Sequence, residues 1–418
     1  MGAVGDVDTV LRDLIPRVVG VLVRRHGYFE ECEDAAQDAL VDATVQWRRD
    51  GVPANPLGWL LTVASRRMAD RARSEAARRT REEAVAALAP ADAWAAHGPE
   101  DQPPADHDDS LTLLFLCCHP SLSPSSQLAL TLRACGGLTT AQVAQAFFVP
   151  EATMAQRISR AKRRIKEAGA LFELPPPEEQ ASRLAVVLHV LYLIFNEGYT
   201  RTSGTDLHDV ELTTEAIRLT RALREALPDD PEVTGLLALM LLTDARRPAR
   251  TDADGNLVPL AEQDRTRWVQ GAVKEGTAHI TEALAKEQPI GSYRLQAAIA
   301  AVHAEAPGAD ETDWRQIVIL YQLLEQVAPN PMVRLNHAVA AAMADGPLVG
   351  LRLLRSLDDD PRIAEHHRLH AVRGHLLEMA GDLDAAGACY REAARRTASL
   401  PERRYLESRE AALDERDR

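Results

Sequence analysis

The stretch Leu138–Ala168, LTTAQVAQAFFVPEATMAQRISRAKRRIKEA, decides how the surrounding chain is read. Its apolar residues recur at helical spacing, not at the alternation of a strand. Thr139 or Thr140 can cap a short helix that turns Val143, Ala144 and Phe147 inward. A turn falls near Phe148 and Val149, and Pro150 stands at the start of a second helix, where its missing N–H costs nothing. Ala144 is small where two such helices cross. In the second helix Ile158, Ala161 and Ile165 make the inner stripe, which leaves Glu151, Thr153, Met154, Gln156, Arg157, Arg160, Arg163 and Arg164 on or near the outside. Glu151, Thr153, Gln156 and Arg157 are placed to reach base edges in a major groove, and the later arginines with Lys162 or Lys166 to lie along phosphates. The bland alternative is a solvated basic face; cap, turn and small crossing residue in register weigh against it.

Outward from this motif the same periodicity holds nearly everywhere. Aromatics are scarce, alanine, leucine and arginine abundant, and the chain of 418 residues is read as all-α. Its length calls for several domains. Three stretches break the helical pattern: the acidic, Pro-rich Pro90–Asp109, Pro175–Pro177 and Arg247–Gln263. They give a helical domain over 6–85, a linker over 86–107, a helix-turn-helix domain over 108–172 and a large helical block over 180–418. In that block Gly374, Gly381, Ala386, Tyr390 and Ala393 fall at the small and aromatic positions of a tetratricopeptide helix pair, and Ala338, Gly350 and Leu354 open a weaker copy at close to the ~34-residue period. The repeats are clearest over 330–400.

A net charge of −14 argues against nucleic acid only if the charge is spread evenly. It is not. Seven arginines lie between Arg66 and Arg81, and six basic residues between Arg157 and Lys166. No apolar run approaches a membrane span and no leader is evident, so a cytoplasmic protein without membrane contact is expected. The five cysteines show no CxxC spacing. Cys117, Cys118 and His119 invite a metal, but successive helical residues point about 100° apart, so neither metal nor other cofactor is expected.

In the N-terminal domain one helix carries an acidic face of Glu31, Glu33, Asp34 and Asp38 beside Gln37, and a second becomes arginine-rich beyond Ser65. Acidic and basic faces on one domain suit an adaptor between a basic protein surface and DNA. Trp47 and Trp59 are expected to fill the core in preference to stacking on bases.

ECEDAAQDALVDA (31–43), Trp47 and PLGWLLTVASRRMADRAR (56–73) resemble region 2 of extracytoplasmic-function sigma factors, and Leu111–Ile165 resembles their region 4. Arg66 stands where many members have Asn, and Pro150 and Ala155 replace the commoner Ser and Lys, which puts the promoter sequence in doubt and not the class. The resemblance implies that Asp34, Gln37 and Asp38 dock on the β′ clamp helices of core RNA polymerase. It implies that the loop Gly51–Pro56, with Asn55 as its hydrogen-bonding residue, captures a flipped base of the −10 element beside Arg66, Arg67, Arg71 and Arg73. It also implies that Glu151, Thr153, Gln156, Arg157, Arg160, Lys162 and Arg163 serve the −35 element while region 4 leans on the β-flap.

Ordinary members end soon after region 4. The run VLHVLYLIFNEGY (187–199), with GLLALMLLTDARRPAR (235–250) and EQDRTRW (262–268), resembles the helical extension of a subgroup ending in tetratricopeptide-like repeats. That likeness implies a groove for a protein or peptide and a part in gating or presenting the sigma domains. An enzyme housed there would have to use His189, Asn196, Glu197, Arg201, Asp244, Arg246, Arg247, Asp264 and Arg265. These lack a nucleophile–base pairing or metal spacing, and interhelical ion pairs are the expected role, so no enzyme is expected. A helix-turn-helix regulator that acts without polymerase stays open, though it leaves the Asp34 face without a task.

Overall fold

The computed structural model describes residues 4–83 and 109–416; the linker expected over 86–107 and the side chains of Arg78, Arg79 and Arg81 lie outside what is described. The described residues form eighteen α-helices and one two-residue parallel strand pair, so the fold is all-α. Two compact units divide the chain, Met1–Val190 and Leu191–Arg418. The boundary therefore falls within a helix, and both expected N-terminal domains belong to one unit.

The first unit contains α1 (Val4–His26), α2 (Phe29–Asp50), α3 (Pro56–Glu83), α4 (Ser110–Cys117), α5 (Pro124–Ala134), α6 (Thr140–Ala146), α7 (Glu151–Glu167) and the start of α8 (Pro177–Tyr199). Ile15, Val18, Val19 and Leu22 of α1 are fully buried, against the small stripe Cys32, Ala35, Ala36, Ala39 and Ala43 of α2. Trp47 is buried, as expected of a core residue, and meets edge-on at 5.4 Å the ring of Trp59, which is only partly buried. Asp109 sits against Gly20, where a Cβ would come within 2.3 Å, and pairs with Arg24, tying the start of α4 to α1.

The second unit continues with α9 (Val210–Ala226), α10 (Pro231–Asp244), α11 (Gln270–Leu284), α12 (Ser292–Glu305), α13 (Trp314–Val327), α14 (Pro331–Asp345), α15 (Pro347–Leu354), α16 (His367–Met379), α17 (Leu383–Arg396) and α18 (Leu400–Arg416). Short Asp and Asn side chains cap the starts of α9, α10, α13, α14 and α17. From α10 onward four apolar cores follow one another, around Leu242 and Ile280, then Ile317 and Leu324, then Leu354 and Leu376, then Tyr390 and Leu406. Each serves neighbouring helices only, the arrangement of a helical array. The small residues lie where helices approach: a Cβ on Gly374 would stand 3.0 Å from the Tyr390 ring, and one on Gly350 2.6 Å from the Ala338 carbonyl oxygen. Among the described residues no helix is long and apolar enough to cross a membrane.

Candidate nucleic-acid interface

Thr139 is the cap of α6: its hydroxyl accepts from the Gln142 N–H at 3.2 Å while the Gln142 side chain accepts from the Thr139 N–H at 2.9 Å. The helix ends with Phe148 at φ +50, a left-handed position usually given to glycine, and the Val149 N–H returns to the Ala144 carbonyl at 3.0 Å. That turn sets the direction of α7. Met154, Ile158, Ala161 and Ile165 are buried beneath it. Met154, expected near the outside, is fully buried because the inner stripe begins a turn earlier than its aliphatic members suggest.

Thr153, Gln156, Arg160 and Arg163 are exposed along one stripe of α7, with Glu151 at its start and Arg157 half-buried beside it. Arg163 faces Glu167 at 3.6 Å, whereas Arg157 and Arg160 have no carboxylate partner among the described residues. Lys162 departs from the sequence reading. It is 5% exposed and turned into the unit, with Nζ paired to Glu33 and, at 2.5 Å, to Asp34. Burial works against its charge, but the carboxylates of Glu33 and Asp34 outweigh that and hold its pKa above the ordinary lysine value. In this arrangement Lys162 cannot lie along a phosphate.

Glu33, read from the sequence as part of the acidic face, is the residue whose burial that reading missed. It is fully buried and held between Arg133, 3.1 Å away, and Lys162, by ion pairs in place of aligned hydrogen bonds. A signal existed: Glu33 stands four residues after Phe29 and three before Ala36, both buried, which puts a carboxylate on the inner stripe of α2. Gln37, expected on the exposed docking face, is buried on the same side and donates to the Arg133 carbonyl at 2.9 Å. Asp34 and Asp38 remain half-exposed.

The arginine-rich part of α3 does not stand apart from the acidic face of α2. Arg67 binds Asp42 at 2.6 Å, and Arg71 binds Asp38 at 2.6 Å and reaches Asp34 at 3.8 Å. Arg73 pairs with Asp70 at 2.5 Å, and Arg66 is exposed without a carboxylate partner among the described residues. Asn55 is exposed and its Oδ1 accepts from the Gly58 N–H at 2.9 Å, the geometry of a helix cap for α3. Beside it, Trp59 and Val63 of α3 with Asp42, Val45, Gln46 and Arg49 of α2 line a shallow cleft of about 350 Å³.

Cys117 and Cys118 are buried, and burial pushes the Cys118 thiol up to about 12. Among the described residues no group of three His, Cys, Asp or Glu side chains suits a metal ion. In the second unit Arg247 pairs with Asp244 of the preceding turn at 3.1 Å and Asp264 caps its own turn, so neither makes the expected interhelical bridge.

Family models match three parts of the chain: sigma-70 region 2 over 10–78, sigma-70 region 4 over 112–165, and a family of unknown function, DUF6596, over 183–284. An uncharacterized protein of Rhizobium meliloti (strain 1021) is 38% identical over 409 residues, 96% of this chain and 94% of its own. The ECF RNA polymerase sigma factor SigK of Mycobacterium sp. (strain KMS) is 34% identical over 163 residues, 36% of this chain and 76% of its own. SigK of Mycolicibacterium vanbaalenii is 33% identical over 155 residues, 34% of this chain and 70% of its own. No solved structure matches. Both sigma-70 regions occur in order on the helices that carry the exposed α7 stripe and the acidic α2 face, and the chain belongs to the sigma-70 family of RNA polymerase sigma factors.

Proposed function

We propose that this sigma factor is of the extracytoplasmic-function class, has no enzymatic activity of its own, and directs core polymerase to promoters through the surfaces described above. The observation that carries the reading is the outer stripe of α7, where Arg157 and Arg160 stand without carboxylates in a chain that holds 62 acidic residues against 48 lysines and arginines. Thr153 and Gln156 then face base edges of the −35 element, and Arg157, Arg160 and Arg163 its backbone. The −10 element falls to the Gly51–Pro56 loop and Arg66. The Asn55 amide nitrogen remains for a base while its oxygen caps α3.

On this reading Asp34, Gln37 and Asp38 meet the β′ clamp helices, and region 4 meets the β-flap. Gln37 is buried against α5 and Asp34 is paired with Lys162, so docking requires α2 to part from α5 and α7. The second unit is a module that regulates or assists the sigma domains and takes a protein or peptide partner on its helical array.

Core polymerase binding by the full chain, wild type beside Asp34→Lys with Asp38→Lys, tests the assignment, with promoter-dependent transcription as second readout. The reversal also repels Lys162, so it opens the α2–α7 contact, and a loss of binding cannot come from tighter closure. Binding and initiation are expected to fail together; retained binding would overturn the docking face, and promoter binding by wild type without polymerase would favour a polymerase-independent regulator. A chain ending at Val190 that initiated like the full chain would remove the regulatory role of the second unit.

A further inference from the structure

In the second unit arginines are generally answered by carboxylates: Arg221 by Glu275, Arg224 by Glu282 at 2.8 Å, Arg294 by Glu232 at 2.9 Å and Arg409 by Glu378 at 2.6 Å. Among those that are not so answered, three lie in the segment between α10 and α11. Arg246 and Arg250 follow α10, Arg265 lies in the turn before α11, and no carboxylate is within ion-pair distance of any of the three among the described residues.

Two of these guanidinium groups have evident structural tasks. Arg250 is 6% exposed, stacks at 3.6 Å over the Tyr199 ring, and donates to the Tyr199 carbonyl and the Thr200 hydroxyl. Arg265 lies 5.0 Å from the Trp268 ring and donates to the carbonyls of His303 and Ala306. Arg246 has no such task. Its guanidinium carbon is 5.9 Å from the same Tyr199 ring, and its Nε is buried without a hydrogen-bond partner. The Nδ1 of His303, close enough to feel the charge of both Arg246 and Arg265, is likewise buried and unpartnered. Burial, followed by the charges of Arg246 and Arg265, pushes His303 down to about 4, so near neutral pH it adds no positive charge. Burial leads in lowering the pKa of Arg250 and Arg265 and the charge of Arg246 adds to it in both, against Tyr199 and Glu402 at Arg250 and Glu311 at Arg265, so Arg246 lies within range of each of the other two.

Glu402 and Glu311 offset part of the charge on Arg250 and Arg265 from beyond ion-pair distance, but like charges gathered around Arg246, which has no carboxylate of its own among the described residues, destabilise a fold and point to a missing anion. The planar fork of arginine matches the edge of an oxyanion, and several adjacent guanidinium groups suit a doubly charged one better than a single carboxylate. We propose that Arg246, flanked by Arg250, Arg265 and His303, forms a binding site for a phosphate group, carried by a free phosphate or a small phosphate ester. The site lies wholly within the second unit and does not depend on how the sigma domains act.

Thermal unfolding of the full chain, with sodium phosphate raised at constant ionic strength, tests this in wild type and in Arg246→Gln. The wild-type midpoint is expected to climb with phosphate as a ligand of the folded state requires, while the variant follows only the general salting effect, with phosphate binding about tenfold or more weaker. Without phosphate the variant is expected to melt no lower than wild type, since like-charge repulsion is relieved. A lower baseline midpoint would make Arg246 a structural residue, and an equal phosphate response in both chains would remove the site. Arg246→Lys, which keeps the charge but loses the fork, is expected to fold and to bind phosphate more weakly than wild type; binding equal to wild type would overturn recognition through the guanidinium. Phenyl phosphate separates an ester from free phosphate as the preferred source. An equal response to acetate would overturn the assignment to phosphate.

Discussion

The arginines of α3 and those of α7 look alike in sequence and differ in the folded chain. Arg67, Arg71 and Arg73 are each matched with a carboxylate, whereas Arg157 and Arg160 of α7 have none among the described residues. A run of basic residues is therefore not one kind of signal. Where acidic partners stand in register on the next helix, the run closes into a ladder; where they do not, the guanidinium groups remain available to phosphates. Within the α7 run Lys162 is an exception, which the fold removes from the outer face and buries against Glu33 and Asp34.

The largest effect is expected at that buried contact. Lys162→Met leaves Glu33 with Arg133 alone, and loss of one partner of a buried ion pair costs about 3–5 kcal/mol, reduced here because Arg133 remains. Denaturant unfolding of the full chain would show it, followed by probes in α2 and α7. Adding Glu33→Gln should restore a good part of the loss, since no unpaired carboxylate is then buried. The exposed ladder predicts the opposite: Arg71→Ala should change stability little, because surface pairs gain little over water. Equal losses at Arg71 and Lys162 would erase the distinction between ladder and buried pair.

Acid offers a second way to compare paired with unpaired charge. His303 stays neutral in the folded chain down to about pH 4, whereas in the unfolded chain it takes its proton near 6.5. Between these values the unfolded state binds more protons, so this contribution is complete above 6.5 and is lost as the pH falls toward 4, by up to about 3 kcal/mol. His303→Phe should flatten stability against pH across that window while keeping a ring against Trp314, 5.2 Å away in the present packing. An unchanged slope would show that neither burial nor the charges of Arg246 and Arg265 depress the His303 pKa in the folded chain.

On DNA the contrast reverses. Arg160→Ala should weaken binding of a −35 fragment by polymerase holoenzyme across sequences and lower the salt dependence by about one phosphate contact, whereas Gln156→Ala should relax base preference by about 1–3 kcal/mol at one position. Arg67→Ala, already matched to Asp42, should do less than Arg160→Ala at the −35 element. Salt-dependent binding curves on wild-type and altered fragments separate the three.

The fold class was legible because helical periodicity is local, and so were the cap, turn and inner stripe of the helix-turn-helix. Thr139 and Ile158 needed no tertiary information. What the sequence hid was long-range. Glu33 and Lys162 meet across 129 positions of chain, and Gln37 finds its acceptor at Arg133, so their burial depends on packing that no local pattern encodes. The Asp42–Arg67 and Asp38–Arg71 rungs were concealed in the same way, since two charged faces read separately do not reveal that they face each other. Arg246 was visible as a polar residue near other polar residues, but its lack of a carboxylate partner among the described residues is a property of the folded structure only.

The smallest expected effect concerns how the exposed stripe of α7 is aimed. Phe148 adopts φ +50, a conformation that costs an L-residue about 1–2 kcal/mol and glycine almost nothing, but about half of its ring is buried, and that burial offsets the strain. Glycine also carries more backbone freedom into the unfolded state, which offsets part of any gain. Relief of strain and loss of burial nearly cancel, so Phe148→Gly should change stability by no more than about 1 kcal/mol, read as a small shift in denaturation midpoint with an unchanged m-value. The Val149-to-Ala144 hydrogen bond that closes the turn uses backbone atoms alone, so the direction of α7 and its affinity for a −35 fragment should be preserved. A variant as stable as wild type that lost −35 binding would mean that the Phe148 ring itself aims the helix or touches the DNA, and the α7 surface would then have to be extended to include the turn.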